Sequence, residues 1–249
     1  MKLHILGSGT CVPNLRRGSS GYALELSKST ILFDCGSGTT WKLGIVGVDY
    51  LKVDHIFITH FHPDHTADLI PFLFATKYPH PTRIREKPLV IWGPKGFIDL
   101  YESLKSAYHD WIAPDLLTIK EIDETPVVSE DFVLKASDTF HTENSIAYRI
   151  ESNGKSLVYS GDTGYTEKLI ELAKDADLLL IECSFPDELK FHAHLTPSEV
   201  GRIGKASGAK KIILTHLYSD CDEIDIVSQV KNYVDADVVL AEDLMDIEI

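Results

Sequence analysis

The sequence predicts an α/β protein in which two β-sheets are flanked by helices. Three observations predict it: short apolar runs with the composition of strands recur along all 249 residues, segments of helical periodicity separate many of them, and no repeat or low-complexity linker interrupts the chain. Strands are numerous in both halves of the chain, which favours two sheets over one. We therefore expect residues 1–249 to form a single domain.

The predicted strands are runs rich in aliphatic and aromatic residues that end at turn-forming residues. One pair of strands is joined by Asn153-Gly154, which is typical of a hairpin turn because both residues tolerate positive φ. The predicted strands are residues 2–6, 23–26, 30–34, 55–59, 88–92, 117–122, 132–136, 145–151, 156–160, 177–182, 211–215 and 237–241.

Helices are predicted between these strands where apolar residues recur every three or four positions. Residues 166–176 carry their apolar side chains on one helical face. Residues 196–206 begin with Thr-Pro-Ser-Glu, in which the threonine and the glutamate form a capping box and the proline occupies the first helical position. Further predicted helices are residues 94–112 and 219–234.

The composition excludes several classes of protein. The net charge of −14, from 38 acidic and 24 basic residues, disfavours a surface that binds nucleic acid mainly by releasing counterions. No apolar run is long enough to span a membrane, and the N-terminal residues lack the pattern of a signal peptide. The four cysteines are scattered without a C-x-x-C pair, so we expect no disulfide framework and a cytoplasmic location.

The segment ITHFHPDH, residues 58–65, contains four side chains that bind metals: His60, His62, Asp64 and His65. If the preceding strand continues to His62, the two alternate histidines point the same way. Asp64 and His65 then follow in a turn and can face a second point. One metal ion with an open coordination position would not use all four ligands, whereas two adjacent ions could.

Three other residues of ligand type follow predicted strands elsewhere in the chain, namely His141, Asp162 and His216. Each comes just after an apolar run, where the sites of α/β proteins usually lie. Any one of them alone would carry little weight, since such residues are common at strand ends. Together with the first four they complete a set of ligands for two metal ions.

These motifs resemble the metallo-β-lactamase superfamily, and so do LGSGTCVP at residues 6–13, ILFDCGSGT at 31–39, SGDTG at 160–164 and LTH at 214–216. The resemblance implies a four-layer αββα sandwich with its site along one edge of the sheets. It also implies two divalent metal ions, most often zinc, with manganese and iron as alternatives. Carried onto this chain, the ligands would be His60, His62 and His141 for the first ion, Asp64, His65 and His216 for the second, Asp162 between them, and Asp34 to orient a ligand or loop.

Two further residues resemble the ribonuclease Z branch of this superfamily. There a strand ends in His-Glu-Ala-Thr and a later His-Ser-Thr begins a helix; here the segments are Ile-Glu182-Cys-Ser and His194-Leu-Thr. We predict that His194 is a general acid or an oxyanion contact that Glu182 orients, and we include Asp64 with them as a catalytic residue. The alternative is that His194 merely precedes the helix cap at Thr196.

The branch also contains tRNA-processing enzymes with a long arm between the counterparts of His141 and Asp162, which are only 21 positions apart here. The sequence therefore resembles a short, armless relative of ribonuclease Z. We expect a two-metal phosphodiesterase that acts on nucleotides or RNA ends, without a membrane partner; a homodimer is implied only by the resemblance. The alternatives are a thioester or lactone hydrolase, in which Tyr218 could stabilise an oxyanion, and a non-catalytic metal-binding protein.

Overall fold

A computed structural model describes residues 1–249 as two seven-stranded β-sheets. The first sheet contains β1 (Lys2–Gly7), β2 (Gly21–Glu25), β3 (Thr30–Phe33), β4 (His55–Phe57), β5 (Leu89–Gly93), β6 (Leu117–Glu121) and β14 (Asp246–Glu248). The second contains β7 (Val127–Val128), β8 (Val133–Asp138), β9 (Ile146–Ser152), β10 (Lys155–Tyr159), β11 (Leu178–Glu182), β12 (Lys211–Thr215) and β13 (Asp237–Leu240).

The helices lie between these strands in the chain. They are α1 (Thr39–Ile45), α2 (Pro63–Thr66), α3 (Leu69–Lys77), α4 (Phe97–Tyr108), α5 (Glu167–Leu172), α6 (Pro197–Ser207) and α7 (Ile226–Lys231). Short 3₁₀ helices cover Tyr50–Lys52, His109–Ile112, Asp187–Leu189 and Ser219–Glu223. None of the helices combines the length and the apolar composition that a membrane span requires.

Three apolar clusters separate four layers. The central cluster holds buried side chains from both sheets, such as Tyr22 and Phe33 of the first and Tyr148 and Tyr159 of the second. A second cluster packs α1, α3 and α4 on the outer face of the first sheet, and a third packs α5, α6 and α7 on the outer face of the second. This arrangement is the predicted αββα sandwich, with all three apolar interfaces closed to water.

The strand directions bring the ends of several strands to one edge of the sandwich. The strands β3, β4, β5 and β6 are parallel neighbours in the first sheet, and β10, β11, β12 and β13 are parallel neighbours in the second. The carboxyl ends of parallel strands lie at the same edge of a sheet, which is where α/β proteins usually carry their sites. The segments that follow β4, β10, β11 and β12 contain most of the predicted site residues.

Several elements differ from the prediction for identifiable reasons. The helix α3 was not predicted because its sequence LIPFLFATK is apolar almost all round and has no 3.6-residue alternation to detect. The strands β7 and β14 have only two and three residues, too few for a pattern to show; β7 pairs with the adjacent β8, and β14 pairs with β1 at the other end of the chain. The predicted helix 219–234 is a 3₁₀ turn followed by α7, separated by Ile224 and Asp225.

Candidate metal centre

The histidine-rich segment lies in a loop and a short helix instead of at the end of a strand. The strand β4 ends at Phe57, because the backbone N–H of Thr59 donates to Oδ1 of Asp34 at 2.8 Å instead of to a neighbouring strand. The expectation that a strand carries His60 and His62 is therefore wrong. The two rings nevertheless lie together, with centroids 4.6 Å apart; His60 is buried and His62 is exposed.

Pro63 begins the helix α2, which places Asp64 and His65 on its first turn. Gly36 leaves room for this turn, since a Cβ atom at that position would lie 2.0 Å from the backbone oxygen of Asp64. The two ligand-type residues of α2 are buried. The helix places His65 beside His60, with ring centroids 4.1 Å apart.

Asp162 lies at the centre of the histidines that the sequence predicted as ligands. Its Oδ1 atom is 3.3 Å from Nε2 of His65. Its Oδ2 atom is 3.7 Å from Nε2 of His60, 3.6 Å from Nε2 of His141 and 3.4 Å from Nε2 of His216. The structure thus brings together histidines from three separate segments around one carboxylate.

The ligand-type atoms form two neighbouring groups, and within each group they lie within 4.8 Å of one another. In the first group, Nδ1 of His62 lies 3.1 Å from Nε2 of His141. In the second, Nε2 of His216 lies 3.5 Å from Oδ2 of Asp64. The first group is His60, His62, His141 and Asp162, and the second is Asp64, His65 and His216.

Four buried atoms of this centre lack a hydrogen-bond partner: Nε2 of His60, His65 and His216, and Oδ1 of Asp162. Buried polar atoms are nearly always satisfied in folded proteins, so this concentration favours a bound ligand. Imidazole nitrogen and carboxylate oxygen are the donors that zinc, manganese and iron accept. The residues present therefore fit divalent metal ions.

Four of the imidazole rings are held so that Nε2 faces the centre. In each ring a protein acceptor lies next to Nδ1, which places the proton there and leaves the lone pair on Nε2 free. The acceptors are Oγ1 of Thr59 for His60 at 3.0 Å, Oδ2 of Asp34 for His65 at 2.7 Å, the carbonyl of Ala193 for His141 at 3.0 Å and Oγ of Ser184 for His216 at 3.0 Å.

Asp34 has the orienting position that the sequence predicted. It is fully buried with a positive φ of 56°, and besides His65 it accepts the hydroxyl of Tyr159 at 2.6 Å and that of Thr59 at 2.9 Å. Nothing in the sequence pointed to Thr59 or Tyr159, and Ser184 was part of a matched motif without an assigned role. Only the sandwich brings their hydroxyl groups to the centre.

The electrostatics of the centre favour the protonation states that bind metals. Burial raises the pKa of Asp162, but the charges of His216 and His65 outweigh it and hold that pKa well below its usual range. Burial, together with the charge of His65, holds the pKa of His60 well below its usual value. Around neutral pH the centre therefore offers an ionised carboxylate and a neutral imidazole.

His65 differs from His60 because two carboxylates face it. Burial lowers the pKa of His65, but Asp162 and Asp34 outweigh it and hold that pKa well above its usual value. In the absence of a metal ion, a proton on His65 thus neutralises part of the buried negative charge. A metal ion would take the place of that proton, so metal binding at this position releases a proton.

A carboxylate–histidine pair lies next to the second group. Oε1 of the fully buried Glu182 is 3.0 Å from Nδ1 of His194, and its Oε2 accepts the hydroxyl of Ser184 at 2.6 Å and the backbone N–H of Leu195 at 3.1 Å. The Ser184 hydroxyl also accepts from Nδ1 of His216. One hydroxyl group therefore connects a proposed metal ligand to the pair.

The environment of His194 keeps it protonated to a higher pH than an ordinary histidine. Burial lowers the pKa of His194, but the hydrogen bond and the charge of Glu182 outweigh it and give a net rise. A nitrogen atom of His194 lies within 4.8 Å of ligand-type atoms of Asp162 and His216. The ring can therefore hold a proton at the edge of the centre. His192, for which the sequence suggested no role, is exposed.

Comparisons with known proteins agree with this geometry. A family profile described as "Anti-Pycsar protein Apyc1" matches residues 1–237. The chain is 31% identical to the probable metallo-hydrolase YhfI of Bacillus subtilis, with 87% of each chain covered. It is 27% identical to ribonuclease Z of Methanosarcina acetivorans, with 100% of this chain and 98% of that protein covered.

Solved structures have the same fold. The crystal structure of the metallo-β-lactamase fold protein YhfI from Bacillus subtilis superposes with a TM-score of 0.87 at 27% identity, covering 100% of this chain and 99% of that one. The crystal structure of the short form of human tRNase Z superposes with a TM-score of 0.81 at 26% identity, with the same coverage. The predicted metallo-β-lactamase fold is thus confirmed.

Proposed function

Since this chain belongs to the family described as Anti-Pycsar protein Apyc1, we propose that it hydrolyses phosphodiester bonds in nucleotides or at RNA ends. It is a hydrolase of the metallo-β-lactamase superfamily, on the ribonuclease Z-like branch. One observation carries the proposal: two groups of ligand-type side chains meet at Asp162, beside a buried carboxylate–histidine pair.

Two divalent metal ions, most often zinc in such a set of ligands, are part of this proposal, with manganese or iron as alternatives. When bound, paired ions lower the pKa of a coordinated water and neutralise charge on the phosphate. The proposed ligands are His60, His62 and His141 in the first group, Asp64, His65 and His216 in the second, and Asp162 between them.

The chain's own residues position and protonate the substrate. Asp34 fixes the ring of His65, and Glu182 fixes the ring of His194. With its proton retained by Glu182, His194 can donate it to the leaving oxygen of the diester, which would otherwise depart as an unfavourable alkoxide. Asp64, on the same side of the centre as His216, is proposed as a ligand that also shapes the catalytic site.

The test is turnover of a generic aryl phosphodiester by purified protein loaded with zinc or manganese. Asp162→Ala is expected to abolish turnover, because it removes the carboxylate common to both groups. Asp138→Ala is a matched control, since Asp138 is an exposed aspartate at the end of β8 that pairs with Lys168. Thioester and lactone substrates are assayed in parallel. Preference for either of them, or no diester turnover at full metal occupancy, would overturn the proposal.

Small substrates fit this chain better than large folded RNA. Between His141 and Asp162 the structure contains only the hairpin of β9 and β10, without a long arm. The alignment with ribonuclease Z of Methanosarcina acetivorans extends over 303 positions, so that relative has segments without a counterpart in these 249 residues. The proposed substrates are cyclic nucleotides, short oligonucleotides or RNA ends. A substrate series from dinucleotides to tRNA would rank them.

A homodimer and a cytoplasmic location complete the proposal. The helices α1 and α3 lie on the same outer layer and expose Trp41, Ile45 and Phe74, and Tyr78 is exposed directly after α3; Trp41 is 80% exposed. Such side chains are typical of an interface between subunits. Light scattering on the wild type and on Trp41→Asp tests the dimer. The four cysteines are unpaired, which supports a reducing compartment.

A further inference from the structure

Three aromatic side chains form a patch beside His194, outside the ligand set. Phe185 follows the turn after β11, Phe191 lies in the loop before α6, and Tyr218 comes two residues after His216. The rings of Phe185 and Tyr218 are nearly parallel, with centroids 4.4 Å apart and an interplanar angle of 20°. The ring of Phe191 is 6.3 Å from that of Phe185. We call Phe185, Phe191 and Tyr218 the aromatic patch.

The aromatic patch surrounds the proposed proton donor. The ring of His194 lies 5.9 Å from that of Phe185, 6.0 Å from that of Phe191 and 6.5 Å from that of Tyr218. Any group bonded to an oxygen that receives a proton from His194 must therefore lie close to these rings.

The patch has no role in the packing of the sandwich. None of its three residues belongs to the apolar clusters between the layers. Phe191 is 59% exposed, and Phe185 and Tyr218 are partly exposed. An exposed aromatic face at the mouth of a site is unfavourable in water and is available for a flat apolar group.

We propose that the aromatic patch stacks the nucleobase of the nucleoside on the leaving-group side of the scissile phosphodiester. This inference rests on the proposed phosphodiesterase function and specifies its substrate: a diester whose leaving alcohol carries a base. Aromatic side chains stack on every base because each base has a π-face, so the patch selects for the presence of a base more than for its identity.

Stacking also fits the charge of the chain. The net charge of −14 disfavours a surface that binds nucleic acid mainly by releasing counterions. Arg17 is buried, and its Nη2 atom pairs with Oδ1 of Asp222 at 2.8 Å. A stacked base supplies binding energy that needs no positive surface.

The experiment compares a dinucleotide with the same diester whose leaving nucleoside is replaced by an abasic ribose. Phe191→Ala is expected to raise the KM for the dinucleotide about tenfold, which is within the range measured for base–aromatic stacking. The kcat stays unchanged because the ring contacts the base equally in the ground and transition states. The KM for the abasic diester stays unchanged, and Phe191→Trp retains the wild-type KM for both.

Trp111→Ala is the matched control, since Trp111 is an aromatic residue of similar exposure, 56%, in the 3₁₀ helix after α4, away from the centre. It leaves both KM values unchanged. An equal rise in KM for both diesters with Phe191→Ala would overturn the inference, because the loss would not depend on the base. So would an unchanged KM for the dinucleotide. Neither result would affect the phosphodiesterase proposal, which is tested by the wild type's turnover of diesters against thioesters and lactones.

A binding measurement tests the patch without turnover. In Phe191→Trp, a nucleoside monophosphate added to the metal-loaded protein is expected to quench tryptophan fluorescence beyond the quenching seen in the wild type. The matching sugar phosphate without a base is expected to leave the fluorescence unchanged. Equal quenching in variant and wild type would overturn the inference even if the protein hydrolysed no diester.

Discussion

Ser184→Ala removes one hydroxyl group from the interior of the site. That hydroxyl donates to Oε2 of Glu182 at 2.6 Å and lies 3.0 Å from Nδ1 of His216. Without it, the N–H of the buried His216 has no acceptor, and leaving such a donor unsatisfied costs about 1–3 kcal/mol. Glu182 loses this donor as well but keeps its contacts with His194 and Leu195.

The expected result is weaker metal binding at one of the two groups. Removing the acceptor of a ligating histidine usually lowers metal affinity about 10- to 100-fold, which corresponds to roughly 1.4–2.7 kcal/mol and agrees with the cost of the unsatisfied N–H. We therefore expect the group that contains His216 to bind zinc about 10- to 100-fold more weakly. The group that contains His60 is expected to keep its affinity.

Competition with a chelating dye measures the two affinities separately. Ser184→Thr is the matched variant, because it keeps the hydroxyl and the ribonuclease Z motif has threonine at this position. It is expected to bind both ions as the wild type does. Two unchanged affinities in Ser184→Ala would refute the reasoning, as would an equal loss at both groups. A melting temperature taken on each variant separates loss of a ligand from loss of the fold.

Two further predictions concern protonation and packing. In the proposed mechanism the protonated form of His194 is the active one, so kcat/KM is expected to fall as the pH rises through the raised pKa of His194. Glu182→Gln removes the interactions that raise this pKa and is expected to shift the basic limb of the pH profile to lower pH. If the basic limb of the pH profile did not shift in Glu182→Gln, that limb would belong to a group other than His194. Tyr159→Phe removes a 2.6 Å hydrogen bond to the buried Asp34 and is expected to lower the free energy of unfolding by about 2 kcal/mol, measured in urea. An unchanged midpoint would mean that Asp34 does not need this donor.

The fold class followed from the sequence because strand composition and helix periodicity are local properties. The capping box at Thr196 and the Asn153-Gly154 turn are local as well, and the structure contains both. The helix α3 was missed because its apolar residues face both the sheet and solvent, and Phe74 is exposed although nothing in the sequence distinguishes it from the buried Phe72. Tertiary packing alone decides which of the two is buried.

The candidate ligands were predictable for a different reason. Each is a metal-binding residue type that follows a strand, and the carboxyl ends of parallel strands lie at the same edge of a sheet. The groups that orient them were not predictable, because serine, threonine and tyrosine occur everywhere and act here only through contacts across the sandwich. Tyr159, for example, lies 125 positions from the aspartate to which its hydroxyl donates.

The chain crosses from the first sheet to the second at residues 122–126, and only β14 returns. Cleavage of the chain within residues 122–126 would separate the candidate ligands. The ligands of residues 58–65 would lie on one fragment, and His141, Asp162 and His216 on the other. Neither fragment would hold all the candidate ligands, so metal binding at this centre would stabilise the association of the two fragments. The second fragment would also carry β14, the edge strand of the first sheet. Association of the two fragments would therefore be favoured both by strand pairing and by metal binding.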